Sequence, residues 1–361
     1  MAHEGTTVMK AARLHKPGSP LVIEDIAEPT THAGGVKVRV LAAPVPSYAS
    51  RVLGGLLPVP LPVPYTPGPS CVGEVEEIAD DVVGVQPGEM VLCSAYHHVT
   101  PPGKDPEAIL IGWIPLTVGS GPLLRYWKDG AYAAKAVYPA ACVTRLGTRA
   151  DGRFSPIEWS KLGALSIAYG GLLRTGLQPG QSVLVNGATG HLGSAAILVA
   201  LAMGASRIVG LGRNRDALDQ LAAIDPRIVA IEHAADHAPL KAHVGTAGKV
   251  DVALDALGYV PDPAATLASL TALRTRGTLV FLGGVLADIP ISYMQMLINQ
   301  WEIKGAFMAP PSAAAQLRDM AFVGTLRLDK MSVVEKKLDQ VNEAIALAAT
   351  QHGLEGCALV P

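Results

Sequence analysis

The chain has 361 residues, 49% of them hydrophobic. That length fits two domains better than one or three, and the apolar fraction excludes a disordered chain. Its 29 basic and 31 acidic residues leave a formal charge of −2, which excludes a nucleic-acid binder that works by bulk positive charge.

Cys71, Cys93, Cys142 and Cys357 are scattered, with no CxxC pair, so they are expected to be reduced, buried thiols outside any disulfide framework or cysteine-rich zinc site. The first residues carry no apolar stretch of signal-peptide type. No apolar run reaches the roughly 18–20 residues needed to cross a bilayer. The expectation is a soluble, cytoplasmic protein with no membrane or nucleic-acid partner.

In chain order, the first 150 residues read as strands and turns. VKVRVLAA (36–43) alternates apolar and polar side chains, and CVGEVEEIA (71–79) and GEMVLCSAY (88–96) read likewise between Gly-Pro turns. Short strands of this kind suggest a small, irregular β-barrel. The four prolines between Leu53 and Pro64 exclude a helix there. Residues 99–128 follow no period and are expected to be a long loop or insertion. His97 and His98 are adjacent, so on a strand they face opposite ways and make a poor metal pair.

Near Ser155 the pattern changes. SPIEWSKLGALSIAYGGLLRTG opens with Ser-Pro-x-Glu and continues at helical spacing. SVLVNG, SRIVGLG, RIVAIE, VDVALDALG and GTLVFLGG then alternate with helical segments such as HLGSAAILVALAMG and RDALDQLAAI. Continuous apolar strands between helices predict a parallel sheet covered on both faces, a doubly wound α/β domain. The tail from residue 310 reads as mostly helical and ends in CALVP, a strand able to return to the N-terminal domain.

The most informative segment is SVLVNGATGHLGS (182–194). Gly187, Gly190 and Gly193 follow a predicted strand and open a predicted helix. Glycines there permit a tight turn and close approach of the backbone to a pyrophosphate, and the helix N-terminus adds free N–H groups. Thr189, His191 and Leu192 complete the candidate turn. The spacing GxxGxxG departs from GxGxxG at its first gap. At the end of the next strand an NAD site usually places an acid. Here the chain reads Gly212-Arg213-Asn214-Arg215. Guanidinium forks match phosphate geometry, so Arg213, Asn214 and Arg215 point to the 2′-phosphate of NADP(H).

These segments, together with APVPSYASRVLGG (43–55) and YTPGPSCVGEVEEIADDVVGVQPGEMVL (65–92), resemble the medium-chain dehydrogenase/reductase superfamily, specifically its zinc-free, quinone oxidoreductase-like branch. The resemblance covers nearly the whole chain. It implies an α/β architecture with a GroES-like β-barrel catalytic domain wrapped by both termini, a Rossmann domain inserted between them and an active site in the cleft. The corresponding expectation is a catalytic part at 1–154, a nucleotide domain at 155–305 and a C-terminal return at 306–361. Zinc-dependent relatives hold their metal at positions that fall here on Ala43, Gly68-Pro69-Ser70 and about Gly163, so the resemblance implies neither a metal site nor a zinc cofactor.

The resemblance also assigns roles. Tyr48 matches a tyrosine of the substrate cleft and is the leading candidate to donate a hydrogen bond to a carbonyl or developing enolate, with Ser47 and Ser166 as further donors. Leu257-Gly258 and Gly283-Gly284 are expected at the nicotinamide half. The usual Asn-Pro-Val-Asp of quinone reductases is Ala43-Pro44-Val45-Pro46 in this chain. The segment around ISYMQMLINQWEIKGAFM resembles a region that pairs between subunits, which implies a homodimer. The expected activity is NADPH-dependent reduction of a small apolar carbonyl compound, first at the C=C of an enone or quinone. The alternatives are a zinc-independent alcohol dehydrogenase or carbonyl reductase acting at C=O, and a non-catalytic NADPH sensor.

Overall fold

The computed structural model describes residues 7–57, 59–233 and 245–361. Residues 1–6, read above for a signal segment, and Pro58 of the proline-rich stretch lie outside them. The chain divides into two units. The first comprises Met1–Gly163, Ser332–Gln351 and Gly356–Pro361; the second comprises Ala164–Met331 and His352–Glu355.

In the first unit, β1 (Val8–Arg13) and β2 (Val22–Ala27) form an antiparallel pair. The alternating residues of β3 (Gly35–Val45) make it the hub of the main sheet. β3 pairs with β4 (Cys71–Ile78) and, after the short helix α1 (Ala49–Leu53) has turned the chain, β4 pairs with β5 (Met90–Cys93). Residues 99–128 are not the long loop expected from the sequence. β6 (Tyr96–Val99), β7 (Glu107–Leu110) and β8 (Ile114–Pro115) form a three-stranded sheet, followed by helix α2 (Gly121–Trp127). These strands are too short to show a period, and tertiary contacts hold them: the Gly68 carbonyl occupies the space a Cβ would need at both Gly112 and Gly130. β9 (Lys135–Pro139) joins β3, and β10 (Val143–Gly147) joins β5.

The helix-start signal at Ser155 is realised as a capping box at α3 (Pro156–Ser160). Ser155 Oγ accepts from Glu158 N–H at 3.2 Å, and Glu158 Oε2 accepts from Ser155 N–H at 2.7 Å. α4 (Leu162–Thr175) follows, and the division between units falls inside it.

The second unit carries a six-stranded parallel sheet. Its strands are β11 (Ser182–Asn186), β12 (Arg207–Gly212), β13 (Ile228–Glu232), β14 (Val250–Asp255), β15 (Leu273–Phe281) and β16 (Glu302–Gly305), in the spatial order 13-12-11-14-15-16. The described helices between them are α5 (His191–Ala202), α6 (Arg215–Ala222), α7 (Ala264–Thr271) and α8 (Tyr293–Asn299). Leu184, Val209, Leu211, Ala253 and Leu279 are buried in one core cluster, as continuous apolar strands covered on both faces require. The strand order reverses between β11 and β14, the switch point at which ligands bind such sheets.

The boundaries expected at residues 154 and 305 are displaced. α4 belongs largely with the nucleotide unit, and that unit runs to Met331 through α9 (Ala313–Phe322). The cause is packing across residue 305: Gly170 of α4 lies against the Met308 carbonyl and Ala309, so closely that a Cβ there would meet the carbonyl oxygen at 2.4 Å. β17 (Ser332–Lys337), not foreseen in the tail, α10 (Val341–Thr350) and β18 (Glu355–Val360) complete the chain. β18 pairs antiparallel with β3, Cys357 opposite Val45, which is the expected return of CALVP. Among the described residues, no helix is long and apolar enough to cross a membrane.

Candidate active site

The glycine turn in the second unit is built as the sequence suggests, but its glycines do different work. Gly187 has φ +82°, and an added Cβ would meet the Ala256 carbonyl oxygen at 2.9 Å. A Cβ at Gly193 would stand 2.1 Å from the Gly187 carbonyl oxygen, so that glycine lets α5 pack against the turn. Gly190 is different: its φ of −83° is ordinary, and the nearest atom to a Cβ is Gly187 O at 3.4 Å. The first α5 bond runs from Ser194 N–H to Gly190 O at 2.9 Å. The N–H groups of His191, Leu192 and Gly193 precede it and stand where a helix leaves its donors free.

The His191 side chain is turned to the protein. Burial lowers its pKa, and the backbone of Gly353 and Glu355 acts in the opposite sense, so the imidazole is neutral; its Nδ1 has no partner in hydrogen-bonding geometry among the described residues. Thr189 packs on Gly212, where a Cβ would lie 2.5 Å from Thr189 Cγ2. An acidic side chain at 212 would therefore displace Thr189. Beyond Gly212 the three expected phosphate-binding residues separate. Asn214 Oδ1 caps α6 by accepting from Ala217 N–H at 3.1 Å. Arg215 holds Asp219 with two bonds, at 3.1 and 2.6 Å. All three are exposed, and among the described residues Arg213 has no hydrogen-bond or ion-pair partner.

The other expected cofactor residues meet the same turn. Gly284 N–H donates to Leu257 O at 2.9 Å, and a Cβ at Gly283 would stand 2.0 Å from that same oxygen. Leu257-Gly258, Gly283-Gly284 and Gly187 are thus one contiguous surface at the carboxyl ends of β11, β14 and β15. Beneath it lie three buried residues that the sequence reading passed over: Asp255, and Asn186 and Thr266, which both donate to it. An acid inside the otherwise apolar run VDVALDALG was the available signal.

Tyr48 and Ser47 belong to the first unit, Ser166 to the second. Tyr48 stands at the start of α1 with 45% of its surface exposed, yet burial around its phenol raises the pKa. Trp113, itself 1% exposed, lies with its ring centroid 6.4 Å from that of Tyr48 and pulls this pKa partly back. Trp113 Nε1 is buried without an acceptor in hydrogen-bonding geometry. The Tyr132 hydroxyl donates to Pro44 O at 3.5 Å, and burial keeps that phenol protonated. Trp113 and Tyr132 are additions to the sequence-based set. Ser47 is half-buried in the turn before α1, and Ser166 Oγ is buried without a partner.

Two of the positions matched to zinc ligands meet: a Cβ at Gly163 would lie 3.3 Å from Ser70 Oγ. The other neighbour, at 3.7 Å, is Cγ of Pro44, the residue after Ala43. Their chemistry does not fit the metal: a tetrahedral zinc site takes deprotonated sulfur, imidazole or carboxylate donors, and this corner offers one neutral hydroxyl. Among the described residues no group of three His, Cys, Asp or Glu side chains could hold a metal ion. The His97 ring sets its edge toward Trp127 and the His98 ring stacks on Tyr96, so each packs on a different aromatic partner. All four cysteines are free and buried, and burial pushes the Cys142 thiol up to about 12.

Residues 192–322 match the family described as zinc-binding dehydrogenase. An alcohol dehydrogenase of Moraxella sp. (strain TAE123) is 29% identical over 345 residues, 93% of this chain and 94% of that one. An acryloyl-coenzyme A reductase of Metallosphaera sedula is 28% identical over 207 residues, 56% of this chain and 57% of that one. A zinc-binding dehydrogenase of Sinorhizobium meliloti 1021, solved bound to NADP, superposes with a TM-score of 0.80 at 18% identity, over 98% of this chain and 100% of that one. That last likeness is one of fold. Together with the sheet order and the glycine turn, these matches make the chain similar to members of the medium-chain dehydrogenase/reductase superfamily. It is an alcohol dehydrogenase-like oxidoreductase.

Proposed function

We propose that this protein is an NADPH-dependent reductase of small apolar carbonyl compounds that works without zinc, and that it acts at the C=O bond. What supports the reading is a phenol, Tyr48, in the same unit as a contact between Ser70 and Gly163 that offers one neutral hydroxyl where zinc would need sulfur, imidazole or carboxylate. The alcohol dehydrogenase relative across 93% of the chain favours C=O, which reverses the order of bonds expected from the sequence. Acryloyl-coenzyme A reductase supports the second reading, reduction of an activated C=C, over about half of the chain.

When bound, the dinucleotide supplies the hydride. The free N–H groups of residues 191–193 face its pyrophosphate, and unpaired Arg213 takes the 2′-phosphate. The Sinorhizobium meliloti protein, solved with NADP, accords with that choice. Tyr48, held protonated by burial of its phenol, donates its hydroxyl proton to the carbonyl oxygen as negative charge develops there. Tyr48 is placed in the catalytic role, and Ser47 and Ser166 are secondary donors.

We also infer a homodimer. β16 is an open edge of the parallel sheet, and Tyr293, Met294, Leu297 and Ile298 of α8 are exposed apolar residues. An unpaired edge with an apolar helix suits main-chain pairing with a second copy. A strictly monomeric species at micromolar concentration in a size measurement would remove this part of the reading.

The deciding experiment is product analysis after incubation with NADPH and cinnamaldehyde, which holds both reducible bonds. Cinnamyl alcohol is the expected product. The saturated aldehyde would promote the second reading. Tight NADPH binding with no turnover across a broad carbonyl panel would leave the NADPH sensor.

A further inference from the structure

Asp255 is a buried acid with no cation beside it among the described residues. It ends β14 with 2% of its surface exposed, directly across from Asn186 at the end of β11, so the two residues flank the switch point of the sheet. Its oxygens receive only neutral donors. Asn186 Nδ2 donates to Oδ2 at 3.2 Å, Thr266 Oγ1 donates to the same oxygen at 2.5 Å, and Leu257 N–H donates to Oδ1 at 3.1 Å. Burial raises its pKa, and those three bonds act in the opposite sense. A group that receives three donors is arranged as a carboxylate, because the ionised form accepts only.

A buried charge without a counter-charge is costly, and its hydrogen bonds offset that cost only in part. Loop building accounts for one bond, to Leu257 N–H. That bond alone does not account for an ion, since it needs a single acceptor oxygen, which a neutral Asn also offers. What the site lacks is a positive charge, and a nicotinamide acquires one whenever it gives up hydride with its electron pair.

We propose that Asp255 is a positioning residue that acts by charge, a fixed anion beneath the Leu257-Gly258 and Gly283-Gly284 surface that favours the oxidised, cationic nicotinamide over the reduced, neutral one. This rests on the reading of that surface as the dinucleotide site. The charge lowers the cost of hydride departure and tightens the hold on the oxidised product.

The test is equilibrium binding of NADP+ and of NADPH, by fluorescence and calorimetry, to the intact protein and to Asp255→Asn. A unit charge acting through protein at an effective dielectric constant near 20 changes the affinity ratio by about fivefold or more. Asp255→Asn is therefore expected to weaken NADP+ by at least about fivefold relative to NADPH. Thr266→Val disturbs the same packing but keeps the charge, so it is expected to weaken both nucleotides together. An equal change for both nucleotides in Asp255→Asn, with the fold intact by circular dichroism, would overturn the inference and leave the dinucleotide reading standing. Failure of the wild-type protein to bind either nucleotide would overturn both. Asp255→Ser is the second charge-removing variant, and unfolding of both would mark Asp255 as a stability residue and reject the proposal.

Discussion

Two glycines three residues apart separate folding from cofactor binding. In Gly193→Ala the new Cβ would stand 2.1 Å from Gly187 O, 2.7 Å from Gly187 C and 2.9 Å from Ala188 Cα. All three are backbone atoms, so relief requires α5 to move by about an ångström or the turn to open. Overpacking of this kind costs about 1–3 kcal/mol. At roughly 2–4 °C per kcal/mol for a domain of this size, Tm falls by about 2–12 °C. In Gly190→Ala the nearest atom is 3.4 Å away and φ is ordinary. The substitution is then neutral or stabilises by about 0.4–1 kcal/mol through the unfolded chain. Its methyl nevertheless stands beside the free N–H groups of residues 191–193, where a pyrophosphate must approach. NADPH affinity is expected to fall about tenfold or more with Tm unchanged or slightly raised. Differential scanning fluorimetry and NADPH fluorescence titration read the two effects separately. A Gly190→Ala protein that binds NADPH like wild type would refute the assignment of this turn as the phosphate cradle.

Three more outcomes follow from the same geometry. Arg213→Ala loses a charge-assisted phosphate contact of about 1.5–3 kcal/mol, so NADPH should bind roughly 10–100-fold more weakly while NADH is unaffected; equal losses for both would sink the 2′-phosphate role. Gly130→Ala puts a Cβ 2.1 Å from Gly68 O in the first unit, and thermal melting should show a Tm lower by at least about 4 °C. Asp225 is held at about 2 by side-chain bonds from Arg227, below the ordinary value near 3.9. A depressed carboxylate contributes stability that is present above about pH 4 and lost as pH falls through about 2. Denaturant titrations of Asp225→Asn between pH 5 and 2 should therefore show a shallower acid loss than wild type; an unchanged slope would contradict the pairing.

The nucleotide unit was legible because its signals are local. β11 is a five-residue strand, mostly apolar, and α5 begins within a few residues of its end, so periodicity and glycine placement sufficed to locate the strand, the turn and the helix. The first unit resisted because its order comes from distant contacts. β7 and β8 have four and two residues, too few for any period to show, and the Gly68, Gly112 and Gly130 chains meet through backbone atoms that carry no sequence pattern. The same limit hid Trp113. It stands 65 residues from Tyr48, and only the fold brings the two rings together.

Site chemistry divides along a similar line. Arg213 and Arg215 look equivalent in sequence, and i,i+4 geometry alone commits Arg215 to Asp219 and leaves Arg213 free. A charge count at a strand end therefore overstates the number of phosphate ligands whenever the next helix carries an acid one turn on. The approach of Ser70 and Gly163 carries the complementary lesson. A likeness of fold fixes where side chains stand and not which donors they bring, so superposition on a zinc-bearing fold does not establish zinc. The proposed reading gives a neutral donor, Tyr48, to the substrate oxygen and a negative charge, Asp255, to the cofactor surface, and the two roles separate by experiment. Tyr48→Phe should then lower kcat about 100-fold or more without changing NADPH affinity, whereas Asp255→Asn should change the nucleotide ratio. A Tyr48→Phe enzyme with wild-type kcat would remove the first half of this division and leave the second to stand on binding alone.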